Sequence, residues 1–436
     1  MPRIAAAFSD FSSRFVSFFQ NKTRSVERQA RQYLSGLMQA ERKNMLRMEE
    51  IVPDSNEQSL QHFLSNSPWD HRALMDQVAL DVDAELGGHE DTMLMIDESG
   101  LPKKGKESVG VARQWCGQLG KVDNCQVAVF AALGRGERAS LVDARLFLPK
   151  VWTEDQARCE KAGVPEDARM YRTKHELALD IVEHALELGI RFEWVGVDAF
   201  YGENGSLLRA LDDTGLRFVA DVHCDQRIFM EDPIKNPEAR SIRADEWAEQ
   251  QPAQRWRRTQ ARESTKGIIE VEVLHQRVWL CREGDKQAYC WHLMIRREPH
   301  SQTGRTKYTL CNATPDTPVR RLAFLQGQRY WVERVFQDAK QESGLSDYQA
   351  RGWTAWHHHV AMVSMAMLFM LEQREALRED LPLLTCADIE WALKQLLPTR
   401  LTDEAELYRI LQERHRKRQA AIDSAYAKQA SANVTK

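Results

Sequence analysis

Along the 436-residue chain, the spacing of hydrophobic and polar positions switches between helical and strand-like periods. Residues 1–85 carry Phe, Leu and Met three and four apart, the period of a helix with one apolar face. Phe8, Phe11, Phe15, Phe18 and Phe19 open this region as a stripe interleaved with Ser, Asp and Arg. That pattern predicts an amphipathic helix rather than the continuous apolar core of a signal peptide. Val52-Pro53-Asp54-Ser55 and Ser65-Asn66-Ser67-Pro68 interrupt it with turn chemistry. From about 90 to 150 the runs TMLMID, VGVARQWCGQ, NCQVAVFAAL and ASLVDARLFLP read as strands. A helix is expected over 175–189, ended by Gly189 and followed at once by the strand-like FEWVGVD. GSLLRALDDTG then predicts a helix before the strand LRFVADV.

From 223 to 311 the pattern turns to alternating, β-branched and aromatic runs, IIEVEVLHQRVWLC, AYCWHLMIRRE and TKYTLCNA, separated by Gly/Asp turns. Helical spacing returns after 312. The apolar run VAMVSMAMLFML at 360–371 is too short to span a bilayer and predicts a buried core helix. The region after 375 is charged and helical, and the last dozen residues are small and polar, as in a disordered tail.

Candidate chemistry concentrates in RYWVERVFQDAK. Arg329, Glu333 and Lys340 are spaced so that all three project from nearly one helix face. A carboxylate flanked by two cations suits a metal-dependent site acting on a polyanion, although alone it reads better as a solvated, salt-bridged helix face. Two upstream aspartates change that balance. Asp97 follows the apolar run Met93 to Ile96, and Asp198 follows Trp194, Val195 and Val197. Aspartates at strand ends and a glutamate on a helix can converge on two cations about 4 Å apart, the arrangement for in-line phosphoryl transfer. Asp143, Asp180 and Asp221 also sit in apolar runs, so the pattern is carried by its order: strand-Asp, strand-Asp, helix-Glu with basic neighbours.

At this point the sequence resembles the insertion-sequence transposases of the DDE type, in the group with a Y-R-E-K signature. Arg329, Glu333 and Lys340 match its Arg, Glu and Lys, whereas Gln326 stands where the signature has Tyr. The segments at 41–50, 60–70, 96–129 and 336–353 read like the same group. The resemblance implies a fold of α/β class: an RNase H-like catalytic core interrupted by a β-rich insertion domain, with helical N- and C-terminal regions. The corresponding boundaries are 1–88 for a helical DNA-binding region, 89–222 and 312–374 for the two parts of the core, 223–311 for the insertion, and 375–436 for the C-terminal region. The first acid is then expected on the first strand and the second on the fourth.

The resemblance further implies that Asp97, Asp198 and Glu333 hold two Mg²⁺, with Mn²⁺ able to substitute. It implies nicking at terminal inverted repeats, strand transfer into target DNA, and a homodimer that engages both ends in the bacterial cytoplasm, at the nucleoid. Arg329 and Lys340 are expected to position the DNA backbone. Lys103, Lys104 and Lys106 in GLPKKGKES are candidates for gripping scissile-strand phosphate, the alternative being a solvated turn. Trp256 lies in QRWRRTQAR with Arg257 and Arg258, and aromatics among arginines can stack an extruded base while neutralising phosphates. Trp279 and Trp291 sit within alternating strands and read better as sheet core.

Composition changes this picture little. The net charge of −4 shows no global sign of nucleic-acid binding, so any basic footprint must be local. Residues 252–310 hold 12 Lys/Arg against 6 Asp/Glu, residues 1–50 hold 9 against 5, and residues 54–99 hold one against 11. Such segregation fits separate DNA-touching and non-touching surfaces. Eight cysteines without a C-x-x-C pair point to a reducing compartment and to no zinc site. His357, His358 and His359 are consecutive and cannot all ligate one ion from a helix, so a polar helix segment, near phosphate, is expected. Two rivals remain: a haloacid-dehalogenase-like phosphatase, which needs an aspartate where Ser99 stands, and a DNA-binding protein without catalysis.

Overall fold

The computed structural model describes residues 2–20, 25–264, 267–298 and 306–434. Five helices come first: α1 (Pro2–Arg14), α2 (Glu27–Gln39), α3 (Met45–Ile51), α4 (Glu57–Ser65) and α5 (His71–Leu86). Their starts are set by short polar side chains. Asn44, Asn56 and Asp70 each accept hydrogen bonds from backbone N–H groups that the first turn leaves free. The phenylalanine stripe of the first helix is buried: Phe8 and Phe11 both meet Phe369 with ring centroids 5.2 Å apart. Phe369 belongs to a late helix, so the N-terminal region and the centre of the molecule share one apolar cluster running from Ile4 to Leu393. It is not a detached unit.

The sheet follows, with strands β1 (Met93–Pro102), β2 (Ala112–Cys116), β3 (Lys121–Arg135) and β4 (Arg138–Leu146). Helices α6 (Lys150–Thr153), α7 (Gln156–Lys161) and α8 (Lys174–Glu187) then lead to β5 (Trp194–Val197). A Thr173–Glu176 capping box starts α8, and Gly189, at φ 79°, ends it in the left-handed conformation a Cβ would disfavour. Next come α9 (Ala199–Gly202), α10 (Gly205–Asp213) and β6 (Arg217–Val222). The second acid therefore follows the fifth strand, not the fourth, because the VGVARQWCGQ run forms the short β2 hairpinned onto β3. β1 and β3 are antiparallel, while β1, β5 and β6 run parallel. Asp97 is also not followed by a loop. Its strand continues to Pro102 because β3 goes on pairing with it, Asp97 opposite Phe130 and Pro102 opposite Cys125.

The segment expected as an inserted domain does carry strands, but they extend the same sheet. After the small β7 (Arg227–Ile228) and β8 (Ile242–Arg243) pair and α11 (Ala244–Glu249) come β9 (Arg257–Ser264), β10 (Gly267–Leu280), β11 (Tyr289–Arg297) and β12 (Thr306–Cys311). β12 lies antiparallel to β6, pairing Tyr308 with Val222 and Cys311 with Val219. The ten-stranded order is β2-β3-β1-β5-β6-β12-β11-β10-β9, with β4 on β3. β6 would otherwise be an unpaired edge, and the insertion covers it.

Helices α12 (Val319–Gln328) and α13 (Tyr330–Gln341) then run almost end to end, broken only at Arg329. They are followed by α14 (Trp353–Ala376), α15 (Cys386–Leu396) and α16 (Glu404–Val434). α14 is buried on every side from Val360 to Leu371. The three histidines before this stretch are buried too, against the expectation of a helix segment near phosphate. His359 Nδ1 meets the Tyr33 hydroxyl at 2.8 Å, and His358 Nδ1 meets the Leu64 carbonyl at 2.9 Å, so they tie the helix to the N-terminal layer. The final residues continue α16 to Val434, since their Ala, Lys and Gln are strong helix formers. Among the described residues, no helix is long and apolar enough to cross a membrane. All eight cysteines are free.

Phe369 is fully buried where the layers meet. Phe369→Ala is expected to lower stability by about 3–5 kcal/mol, read from denaturant unfolding. A loss below about 1 kcal/mol would mean that the N-terminal helices do not depend on this contact.

Candidate active site

Register brings the first two acids together. The parallel pairing of β1 with β5 ends at Ile96 opposite Val197, so Asp97 and Asp198 are each the next residue on neighbouring strands. Strands in that direction lie about 4.8 Å apart. Burial pushes the Asp97 carboxyl up to about 7, with the Asp198 charge next in effect. Burial raises Asp198 as well. Asp198 also starts α9, accepting from the Tyr201 N–H at 3.2 Å. That short helix fits because of Gly202, where a Cβ would stand 1.9 Å from the Asp221 carbonyl oxygen on β6.

Arg329 occupies the break between α12 and α13, with 8% of its surface exposed. Its guanidinium reaches Asp221 at 3.0 Å, Glu333 at 3.5 Å and Asp97 at 3.9 Å. Glu333 lies one turn into α13, and its side chain is 54% exposed, the most open of the three acids. Arg329, expected to meet the DNA backbone, is instead an internal counter-ion beneath the carboxylates. Asp221 is the residue that sequence reasoning passed over. It accepts from the Thr309 hydroxyl at 2.7 Å, and Thr309 in turn accepts from Gln326 at 2.5 Å. Gln326, at the signature tyrosine position, thus ends a chain of hydrogen bonds leading to Arg329. FVADVH carried a strand-Asp signal, but its partner Thr309 arrives only with β12, 88 residues later.

Lys340 is half-buried in the last turn of α13, with its ammonium 6.0 Å from the Phe336 ring centre. Burial lowers its pKa, and it lies within electrostatic reach of Asp97. Lys103 is partly buried, donates to the Tyr348 carbonyl at 2.9 Å and lies over that ring, whereas Lys104 is exposed. Trp256, Arg257 and Arg258 are elsewhere, at the start of β9 on the far edge of the sheet from β3. The Arg297 guanidinium covers one face of Trp256 at 3.9 Å, and Arg258 faces Glu272 at 3.5 Å. Trp291 is core, donating to Asp212 at 3.1 Å, and Trp279 is half-buried on β10.

The donor set at the acids is all carboxylate oxygen, the chemistry of a hard divalent cation. Two half-buried carboxylates side by side carry charge that Arg329 only partly offsets. The Tyr201 hydroxyl, buried and without a hydrogen-bond partner, lies within electrostatic reach of Asp97, Asp198 and Glu98. Among the described residues, no three His, Cys, Asp or Glu side chains converge on one ion. The residues therefore fit metal held by carboxylate pairs and completed by substrate oxygens, not a closed protein cage.

Residues 14–272 match the sequence profile of the DDE superfamily endonucleases. The chain belongs to that superfamily. The match covers Asp97 and Asp198 and stops before Glu333. The chain is also similar to a probable transposase for insertion sequence element IS701 from Microchaete diplosiphon, 25% identical over 352 residues, or 80% of this chain and 84% of the relative. Both findings agree with the transposase resemblance in the sequence and with an enzyme of the DDE class.

Replacing the buried Arg329 leaves Asp97 without its ion pair and Asp221 with only the more distant Lys307, at 3.9 Å. Arg329→Met is expected to cost about 3–5 kcal/mol in urea unfolding at pH 7, against less than about 0.5 kcal/mol for Lys104→Met on the surface. Equal, small effects would return Arg329 to a role outside the scaffold.

Proposed function

We propose that this DDE endonuclease is a transposase that nicks DNA at the ends of its element and joins the freed 3′ ends to target DNA. The observation that carries this is the adjacency of Asp97 and Asp198 at the end of the β1–β5 pairing, with Glu333 held to them through Arg329. The strand order β4-β3-β1-β5-β6 supports an RNase H-like core, with three antiparallel and then parallel strands. The likeness to an insertion-sequence transposase supports DNA ends as substrate, and two copies would be needed to hold both ends together.

Asp97, Asp198 and Glu333 would hold the divalent ions, two Mg²⁺ in this reading. When bound, these ions lower the pKa of an attacking water or 3′-hydroxyl and stabilise the leaving 3′ oxygen. The protein's own part is positioning. Asp198 is fixed by its cap on α9, and Asp97 by its pairing with Phe130 on β3, one residue past the end of the β1–β5 pairing. Arg329 keeps Glu333 turned toward the aspartates while Asp221 holds the guanidinium from the other side. Lys340, on the same helix as Glu333, is placed to meet a phosphate of the bound strand.

Labelled duplex carrying the element's own ends should be nicked in Mg²⁺ and not in EDTA. Asp97→Asn, Asp198→Asn and Glu333→Gln should each reduce nicking at least 10³-fold, on the order of one lost transition-state interaction of about 4 kcal/mol, while DNA binding persists. Nicking by any of the three variants at near the wild-type rate would remove that acid from the site. Binding without nicking by the wild type would favour the DNA-binding protein without catalysis.

A further inference from the structure

Many cations among the described residues are already held in ion pairs. In the N-terminal region the basic residues near 28–47 look like a DNA-binding surface in sequence. In the fold, Arg31 pairs with Glu27, Arg47 with Glu50, Lys43 with Glu390, and Arg28 weakly with Asp54. Arg42 is the exception. It is exposed, and among the described residues it has no ion pair.

Arg42 opens onto a cavity of about 770 Å³ that three separate segments build. Lys104 and Lys106 come from the β1–β2 loop, and Arg351 from the segment between α13 and α14. All three are exposed, and among the described residues none has an ion pair. Two acids also line the cavity, Glu107 and Asp347. Both are engaged, Glu107 with Lys161 at 3.3 Å and Asp347 with the Lys43 backbone N–H at 2.6 Å. Lys103, also in the lining, is held in place: its bond to the Tyr348 carbonyl fastens the loop to the α13–α14 segment, so the floor of the cavity is built rather than loose. The remaining surface is four unpaired cations around a polar trough, which suits successive phosphates of a nucleic-acid backbone.

The trough also has a fixed relation to the acids. β1 runs without interruption from Asp97 to Pro102, the edge of the cavity. Five steps of about 3.3 Å place that edge roughly 17 Å from Asp97. Lys340 sits in the last turn of α13, just before the segment that supplies Arg351. At about 3.4 Å per nucleotide along one strand, 17 Å corresponds to roughly five nucleotides.

We propose that Arg42, Lys104, Lys106 and Arg351 form a clamp on the phosphate backbone of duplex DNA, gripping it roughly five nucleotides from the phosphodiester held at Asp97 and Asp198. The clamp rests on the transposase reading for its substrate. It adds a site that sets where along the duplex the acids cut, built by folding from segments that are remote in sequence.

The test uses the full chain, with all four residues changed to Gln in one variant and Lys104→Arg with Lys106→Arg in another. Affinity for an end-bearing duplex is measured by fluorescence anisotropy across a salt series, and backbone contacts by phosphate ethylation interference. Each neutralised phosphate contact contributes about 0.9 to the slope of log affinity against log salt. The Gln variant should therefore lose about 3 to 4 from that slope, and lose interference at phosphates about five nucleotides from the nick. The Arg variant should keep both. An unchanged slope in the Gln variant, with the wild type still binding and nicking, overturns the clamp and leaves the transposase reading intact. A loss of slope with interference unchanged near the fifth nucleotide overturns the assigned position. A wild type that binds no duplex overturns both readings. Because all four side chains are exposed, unchanged thermal unfolding of the Gln variant is expected and separates loss of contact from loss of fold.

Discussion

The buried Arg329 guanidinium is the contact on which the site depends. It is the cation nearest a group of acids gathered at the ends of β5 and β6, the middle of β1 and the start of α13. Without it, those elements would bring like charges into a poorly solvated space, where mutual repulsion and the cost of desolvation act in the same direction. With it, the break between α12 and α13 becomes a hinge point pinned to the sheet. Asp221 matters for the same reason. It is the closest partner of Arg329 and is not one of the three acids proposed to hold metal, so the guanidinium has an anchor outside that set.

That anchor explains why the β-rich segment joins the sheet. Thr309 on β12 donates to Asp221 only because β12 pairs with β6 in the register that sets Thr309 opposite it. Gln326 reaches the same hydroxyl from α12. The segment that looked like an inserted domain is thus continuous with the support of the active site. A slip of one residue on β12 would turn Thr309 to the other face of the sheet and leave Asp221 without that bond.

The distribution of charge follows a similar logic. Many basic residues hold elements together, as Arg14 does between Asp81 and Glu372. Which of the others stand together on one surface for a polyanion is decided by the fold. Counting Lys and Arg by segment pointed to residues 252–310, yet Trp256, Arg257 and Arg258 start the outermost strand, four strands beyond β6, with Trp256 already stacked on Arg297.

Much was legible before folding. Helical and strand periods and the buried α14 depend on local spacing, and spacing is a property of the chain alone. The pairing of Asp97 with Asp198 could be expected from order but not measured, because it depends on register between strands 101 residues apart. Asp221, Thr309 and Tyr201 gained their places only through such register. Lys43 left the surface because α15 packed over it, and the three histidines because the N-terminal helices packed over α14. Sequence determines which side chains a strand or helix can present. Burial and ion pairing are settled by what packs against that face, and here the packing partners come from the opposite end of the chain.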